Sequence, residues 1–92
     1  MATQIFVVIA KTGVPAIGEA LKNVAPEGTY SIKDDAWLVQ FEGTSQDLAE
    51  KLGIRDAKNG TGIVMPITNY SGRGPLDMWE WLRVHWPKDV PR

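Results

Sequence analysis

The segment TYSIKDDAWLVQFE, residues 29–42, decides the fold of this 92-residue chain. Apolar and polar side chains alternate in residues 29–33, and a period of two is typical of β-strands. In a strand over residues 36–42, one face would carry Trp37, Val39 and Phe41 and the other Leu38 and Gln40. Asp34 and Asp35 lie between the two runs, where short acidic side chains can bond to nearby backbone groups in a tight turn. The segment therefore predicts a β-hairpin.

The chain before the hairpin predicts a strand followed by a helix. Residues 4–10 are a continuous apolar run rich in β-branched side chains, which indicates a central strand buried on both faces. Pro15 fits the first turn of a helix, because a missing N–H costs nothing there. Apolar residues then recur at helical spacing as far as Val24, and Pro26 ends the helix.

The chain after the hairpin predicts a second helix and a fourth strand. Thr44 and Asp47 have the spacing of a capping box, in which each side chain accepts a hydrogen bond from a free backbone N–H. Gly53 is expected to end this helix in the left-handed conformation. Residues 63–68 then form a strand that contains Pro66. Because proline cannot donate to a ladder, we expect this strand at an edge of the sheet.

These elements follow the order strand, helix, strand, strand, helix, strand. That order is typical of the ferredoxin-like βαββαβ fold, so we predict an α+β protein with one domain, residues 1–92, and an additional C-terminal helix. In that fold the fourth strand lies at one edge beside the first strand, and the second strand forms the other edge. The position of Pro66 favours the same arrangement independently.

The predicted C-terminal helix, residues 76–86, holds three of the four tryptophans. Trp81 and Val84 point away from its main apolar face and are candidates for a partner surface such as a homodimer contact, since aromatic side chains are enriched there. His85 follows Trp81 by four residues, so the two rings can stack. Four side chains share the main apolar face and are expected to pack on the sheet: Met78, Trp79, Leu82 and Trp86.

Composition excludes several classes of function. The formal net charge of −1 weighs against a strongly electrostatic nucleic-acid binder. The absence of cysteine rules out a disulfide or a thiolate metal site. With a single histidine, a zinc site would need mostly carboxylate ligands, which is an uncommon set. We therefore expect no metal and no cofactor. The chain has no apolar run near the 20 residues of a membrane span and no signal-peptide pattern, so we expect a cytoplasmic protein.

The segment of residues 68–75 is rich in small and polar residues and leads into the last helix. Arg73 and Gly74 at a helix N-terminus would suit a phosphate or a nucleic-acid backbone, and Tyr70 would add a stacking surface. The alternative is a tight connection that needs glycine backbone angles. A nucleic-acid hypothesis assigns contacts with phosphates or bases to four residues: Lys11, Tyr70, Arg73 and Arg83.

Catalytic chemistry has little support in the sequence. His85 has the side chain of a general base, but no nucleophile or orienting carboxylate is apparent beside it. Asp34 and Asp35 have the ligand type that magnesium prefers, but adjacent residues on a turn usually diverge. We therefore assign no catalytic residue.

Two motifs near the C-terminus carry a resemblance to a known family. Residues 69–74, NYSGRG, and residues 79–82, WEWL, together with the order of strands, resemble the SinR-like small proteins, which are related to the CRISPR-associated ribonuclease-like adaptors of spacer acquisition. The resemblance implies a ferredoxin-like fold and dimers formed through the sheets. Nuclease members carry an aspartate at the end of the first strand, whereas residues 8–11 here are VIAK. The resemblance thus implies a dimeric relative without nuclease activity.

These observations rank three hypotheses about function. The first is a small non-catalytic interaction module, either a homodimer or an adaptor for a protein partner. The second is a nucleic-acid-binding protein. The third and least favoured is a metal-dependent nuclease or other hydrolase.

Overall fold

The computed structural model describes residues 3–68 and 71–87, which form one four-stranded antiparallel sheet and three helices. The sheet has the order β2-β3-β1-β4, so both predicted edge strands are confirmed. The α+β class is confirmed, and the order of elements fits the ferredoxin-like pattern at a coarse level. The elements are β1 (Thr3–Ala10), α1 (Val14–Val24), β2 (Thr29–Lys33), β3 (Ala36–Glu42), α2 (Ser45–Lys51), β4 (Gly62–Ile67) and α3 (Leu76–His85).

The predicted hairpin is formed by β2 and β3. Thr29 pairs with Val39 at the open end, and Lys33 pairs with Ala36 beside the turn. The register shifts between Ser31 and Lys33, which places an extra residue in β2. This bulge was not predicted, because alternation of side chains alone does not show where a strand carries an unpaired residue.

Helices α1 and α2 cover one face of the sheet. The predicted capping box of α2 is confirmed: the Asp47 N–H donates to Thr44 Oγ1 at 3.0 Å, and the Thr44 N–H donates to Asp47 Oδ2 at 3.1 Å. Gly53, with φ 72°, follows this helix in the predicted left-handed conformation. The buried residues of this layer are Phe6, Val8, Ala10, Ile17, Leu21, Ala25, Trp37, Val39, Leu48 and Leu52.

Helix α3 packs on the opposite face of the sheet. Leu82 and Trp86 are buried there against Ile5 of β1 and Leu38 of β3. The other two residues of the predicted apolar face, Met78 and Trp79, are half-buried against the same cluster. The described residues therefore form two apolar clusters, one on each side of the sheet.

Burial of β1 on both faces is only partly confirmed. The residues facing α1 and α2 are buried, but Ile9 on the opposite face is 39% exposed. The cause is the position of α3, which packs near Ile5 at the other end of the strand. Within residues 3–68 and 71–87, no helix is both long enough and apolar enough to cross a bilayer.

Candidate interaction site

Helix α3 covers only one end of the sheet face on which it packs. Ile5 of β1 and its neighbour Ile67 of β4 belong to the cluster beneath α3. The next residues of β1 on this face are Val7 and Ile9, and exposure rises from 1% at Ile5 to 39% at Ile9. The helix therefore leaves the other end of the face open.

The open end carries apolar side chains from two neighbouring strands. Val7 pairs with Met65, and Ile9 pairs with Ile63. Ile63 is 50% exposed and Met65 is 39% exposed, and neither strand contains a charged residue. Adjacent exposed apolar groups mark interaction sites. We call this surface the sheet patch. It consists of Val7, Ile9, Ile63 and Met65, of which Val7 is partly buried against the cluster beneath α3.

The sheet patch lies beside the free edge of β4. The Lys11 N–H donates to the Thr61 carbonyl at 2.7 Å. Hydrogen-bonded pairs alternate along an antiparallel ladder, so the pair of Ile9 and Ile63 also exchanges main-chain hydrogen bonds. At the alternate positions the main-chain groups of β4 point away from β1. Pro66 occupies one of them, so its missing N–H removes no ladder bond. The outward positions of β4 are Gly62, Val64 and Pro66.

The aromatic side chains of α3 contact one another and the hairpin. The Trp81 and His85 rings stack with centroids 4.3 Å apart, as predicted from their spacing. The Tyr30 ring lies 6.1 Å from the Trp81 ring. Trp81 is therefore half-buried within its own chain, whereas Val84 is 62% exposed. Of the two residues predicted to lie off the main apolar face, Val84 is therefore the more exposed to solvent.

Side-chain hydrogen bonds from Tyr30 and Gln40 join α3 to the hairpin. The Tyr30 hydroxyl donates to Asp77 Oδ2 at 3.0 Å, and Gln40 Nε2 donates to the His85 carbonyl at 2.8 Å. Partial burial raises the pKa of the Tyr30 hydroxyl above its ordinary value, and the hydrogen bond and negative charge of Asp77 raise it further. The bonds lie near the two ends of the helix and fix its position on the sheet.

The residues of the nucleic-acid hypothesis lie on separate elements. Lys11 is exposed after β1, and Arg73 is exposed in the segment before α3. On α3 itself the Arg83 guanidinium donates to Glu80, and this bond together with the Arg83 charge lowers the pKa of Glu80. Tyr70 lies outside the described residues.

Gly74, predicted as part of an anion site, lies beside Met78 of α3. A Cβ atom at this position would lie 2.3 Å from Met78 Cε. Met78 belongs to the cluster between α3 and the sheet. Met78 Cε is the end of a flexible side chain that can move aside, so the role of Gly74 in an anion site stays a prediction.

Two of the groups considered for catalysis, Asp35 and His85, lie close to other groups of the chain. Lys33 Nζ lies 3.6 Å from Asp35 Oδ1. His85 Nδ1 lies 2.9 Å from the Trp81 carbonyl oxygen, and its ring is stacked on the indole. In the parts of the chain that the structure describes, no three histidine or acidic side chains are grouped as metal ligands would be.

The sheet patch itself was missed by sequence reasoning. Its signal was present in β4, where residues 63–65 are Ile, Val and Met without an intervening polar side chain. An edge strand with one solvated face normally alternates between apolar and polar residues. Apolar side chains on both faces of a predicted edge strand are therefore a departure from that pattern, and this departure could have pointed to Ile63 and Met65.

Comparison with known proteins does not assign a family. No protein-family model matches the chain, and no curated protein or solved structure shows significant similarity to it. Its function is therefore inferred from the geometry of the sheet patch and of the surfaces around it.

Proposed function

We propose that this protein is a small non-catalytic interaction module that forms a homodimer through the sheet patch. The observation that carries the proposal is the partial cover of one sheet face by α3. Ile9, Ile63 and Met65 stay exposed side by side on two strands that carry no charge. Covering such a surface removes apolar area from water at about 25 cal/mol per Å².

A second copy of the chain suits this surface. In a two-fold dimer each subunit presents the same patch, so the patch has to be complementary to itself. An apolar patch without charged side chains of its own meets this condition, because its four side chains place no like charges opposite one another across the axis. The formal net charge of −1 adds little repulsion between subunits.

The size of a stable interface shows what must surround the patch. A standard interface buries about 800 Å² per subunit. This is about one seventh of the 5796 Å² that the chain exposes. Four side chains do not supply that area alone. We infer that they form the apolar centre of the contact and that polar residues around them form its rim.

We also propose that the fold is ferredoxin-like, βαββαβ, with α3 as an addition on the open face of the sheet. The sheet order with β2 and β4 at the edges supports this proposal. It agrees with the relation to SinR-like proteins suggested by the sequence motifs, in which dimers form through the sheets. A cytoplasmic location completes this proposal.

Light scattering behind a sizing column tests the dimer. The wild type should have twice the chain mass of 10.2 kDa, and Ile63→Lys should reduce it to one chain mass by placing a charge in the contact. Val84→Lys is the matched control, because Val84 is a similarly exposed apolar residue on α3. It should leave the dimer intact.

Two outcomes of that experiment contradict the proposal. A wild type with the mass of one chain at every concentration rules out the homodimer. Dissociation by Val84→Lys but not by Ile63→Lys would move the contact from the sheet patch to the outer face of α3. Circular dichroism of each variant confirms that a change in mass reflects association and not unfolding.

Nucleic-acid binding remains the alternative proposal. The exposed side chains of Lys11 and Arg73 support it, whereas Arg83 already bonds to Glu80. Fluorescence anisotropy with labelled single-stranded RNA tests it, because phosphate contacts make affinity fall steeply with salt. Binding that is weakened by both Lys11→Gln and Arg73→Gln would favour this alternative over a module that binds only protein.

A further inference from the structure

A groove lies at the opposite edge of the sheet from β4, between α1 and β2. It has a volume of about 470 Å³. Pro15 of α1, Pro26 and Trp37 of β3 are apolar residues that line it, and Thr29 and Ser31 of β2 line one side. The groove therefore combines an apolar floor with an edge strand as its wall.

The hydrogen-bond pattern shows which way the main chain of β2 points. The Gln40 N–H donates to the Gly28 carbonyl at 2.7 Å, and this bond continues the register in which Tyr30 pairs with Leu38. Because antiparallel positions alternate, Tyr30 exchanges its main-chain bonds with β3. The N–H and C=O groups of the residues on either side of Tyr30 therefore point away from β3, towards the free edge.

Those outward main-chain groups belong to Thr29 and Ser31, and both residues line the groove. Their hydroxyls are used locally, since Thr29 Oγ1 donates to the Ala25 carbonyl and Ser31 Oγ donates to the Lys33 carbonyl. Among residues 3–68 and 71–87, no main-chain group bonds to their outward N–H or C=O groups. The wall of the groove thus offers two donors and two acceptors.

The two edges of the sheet differ in this respect. The outward positions of β4 include Pro66, which removes a donor and protects that edge against pairing with another chain. The outward positions of β2 carry no proline. The edge that borders a groove is therefore the one left able to pair.

We propose that the groove and the free edge of β2 bind an extended peptide segment of another protein by strand addition. The peptide would pair with the main chain of Thr29 and Ser31, and every second side chain would enter the groove. In this mode the main-chain bonds provide affinity and the pocket for alternate side chains provides specificity. The apolar lining of Pro15, Pro26 and Trp37 selects apolar side chains at those positions.

Two observations favour a peptide over other occupants. The outward groups of Thr29 and Ser31 recur every second residue, at about 7 Å, which is the repeat of an extended chain. Lys22 Nζ lies 3.6 Å from Glu19 Oε1 on the rim, so the rim is electrically balanced. A neutral stretch within a chain matches that rim better than a charged terminus or a phosphate.

The test uses the full chain and a pool of heptapeptides that are acetylated at one end, amidated at the other and labelled with a fluorophore. Threonine occupies alternate positions, and alanine, valine, leucine or phenylalanine occupies the others. We expect the wild type to enrich members of the pool. The best member should lose at least about tenfold in affinity when its alternate peptide nitrogens are methylated, because these can no longer donate.

Two variants of the protein locate the site. Ser31→Pro removes an outward N–H without removing a bond to β3, and we expect at least about tenfold weaker binding. Gly18→Leu places a side chain over the groove, since a Cβ at Gly18 would lie 3.7 Å from Trp37 Cζ2. Gly18→Leu should also weaken binding at least about tenfold. It tests the site independently if Ser31→Pro does not fold.

The Ile63→Lys variant separates this proposal from the homodimer. It alters the sheet patch and leaves the β2 groove unchanged, so peptide affinity should stay within about twofold of the wild type. Failure to enrich any peptide, equal binding of the methylated peptide, or full binding by Gly18→Leu would each overturn strand addition. None of these results would bear on the mass of the dimer.

Discussion

At the scale of single residues, Leu82 and Trp86 contribute most to holding α3 on the sheet. Both are buried in the same cluster as Ile5 and Leu38. We expect Leu82→Ala to lower the free energy of unfolding by about 2–5 kcal/mol and Trp86→Ala by about 3–5 kcal/mol. Urea titration measures both.

Val84→Ala is the control for that series. Val84 lies between the two buried residues on the same helix but is 62% exposed. Its replacement should change the free energy of unfolding by no more than about 0.5 kcal/mol. A cost for Val84→Ala equal to that of Leu82→Ala would show that the buried face of α3 has been assigned wrongly.

Asp47 is expected to make stability sensitive to acid. The backbone and side-chain hydrogen bonds with Thr44 lower the pKa of its carboxyl group below the ordinary value. A carboxyl whose pKa is lower in the folded state stabilises the protein above its ordinary pKa, and this contribution is lost as the pH falls below about 4. Urea titrations from pH 5 to pH 2 should therefore show a shallower loss of stability for Asp47→Asn than for the wild type. Identical slopes would contradict the role of the capping box.

The roles of some of these residues could be predicted from the sequence and those of others could not. The capping box depends on residues three apart, and the buried face of α3 depends on helical period, so both could be predicted from local spacing. The contact between Trp81 and Tyr30 joins residues far apart in the chain. Local pattern shows that Trp81 lies off the main face of the helix, but only the placement of α3 shows that the sheet half-buries it.

At the scale of elements, the attachment of α3 is expected to weaken in alkali. The Tyr30 hydroxyl, whose pKa is raised, donates to Asp77. A phenol with a raised pKa in the folded state stabilises the protein at pH values below its ordinary pKa of about 10. This contribution is lost as the pH rises above about 10 and through the raised pKa.

Tryptophan fluorescence between about pH 9 and pH 11 measures this effect. The wild type should change in emission before global unfolding, because Trp81 lies beside Tyr30. Tyr30→Phe cannot ionise and should show a smaller change. An equal change in both proteins would show that Tyr30 does not control the attachment of α3.

The placement of α3 also shows where sequence reasoning about elements ends. The amphipathic pattern predicts that the helix packs on the sheet, and the structure confirms it. The pattern does not show where along the strands the helix lies. That position depends on hydrogen bonds from Tyr30 and Gln40, which lie in a different part of the chain. The sheet patch exists because α3 covers one end only, so its position was beyond prediction from the amphipathic pattern of α3.

At the scale of the whole molecule, the two sheet edges are expected to differ in their tendency to associate. Pro66→Thr should restore an outward N–H on β4 and favour edge-to-edge pairing of chains. Light scattering should then show species larger than those of the wild type, increasing with concentration. If the variant and the wild type give the same distribution of mass, Pro66 does not protect this edge.

The central claim is that the sheet patch joins two copies of the chain, and the mass of the wild type as a function of concentration tests it most directly. Sedimentation equilibrium should show a reversible transition from the chain mass of 10.2 kDa at low concentration to twice that mass at high concentration. The mid-point should move to much higher concentration for Ile63→Lys. A single mass of one chain across the whole range would contradict the claim, as would a transition whose mid-point is the same in both proteins.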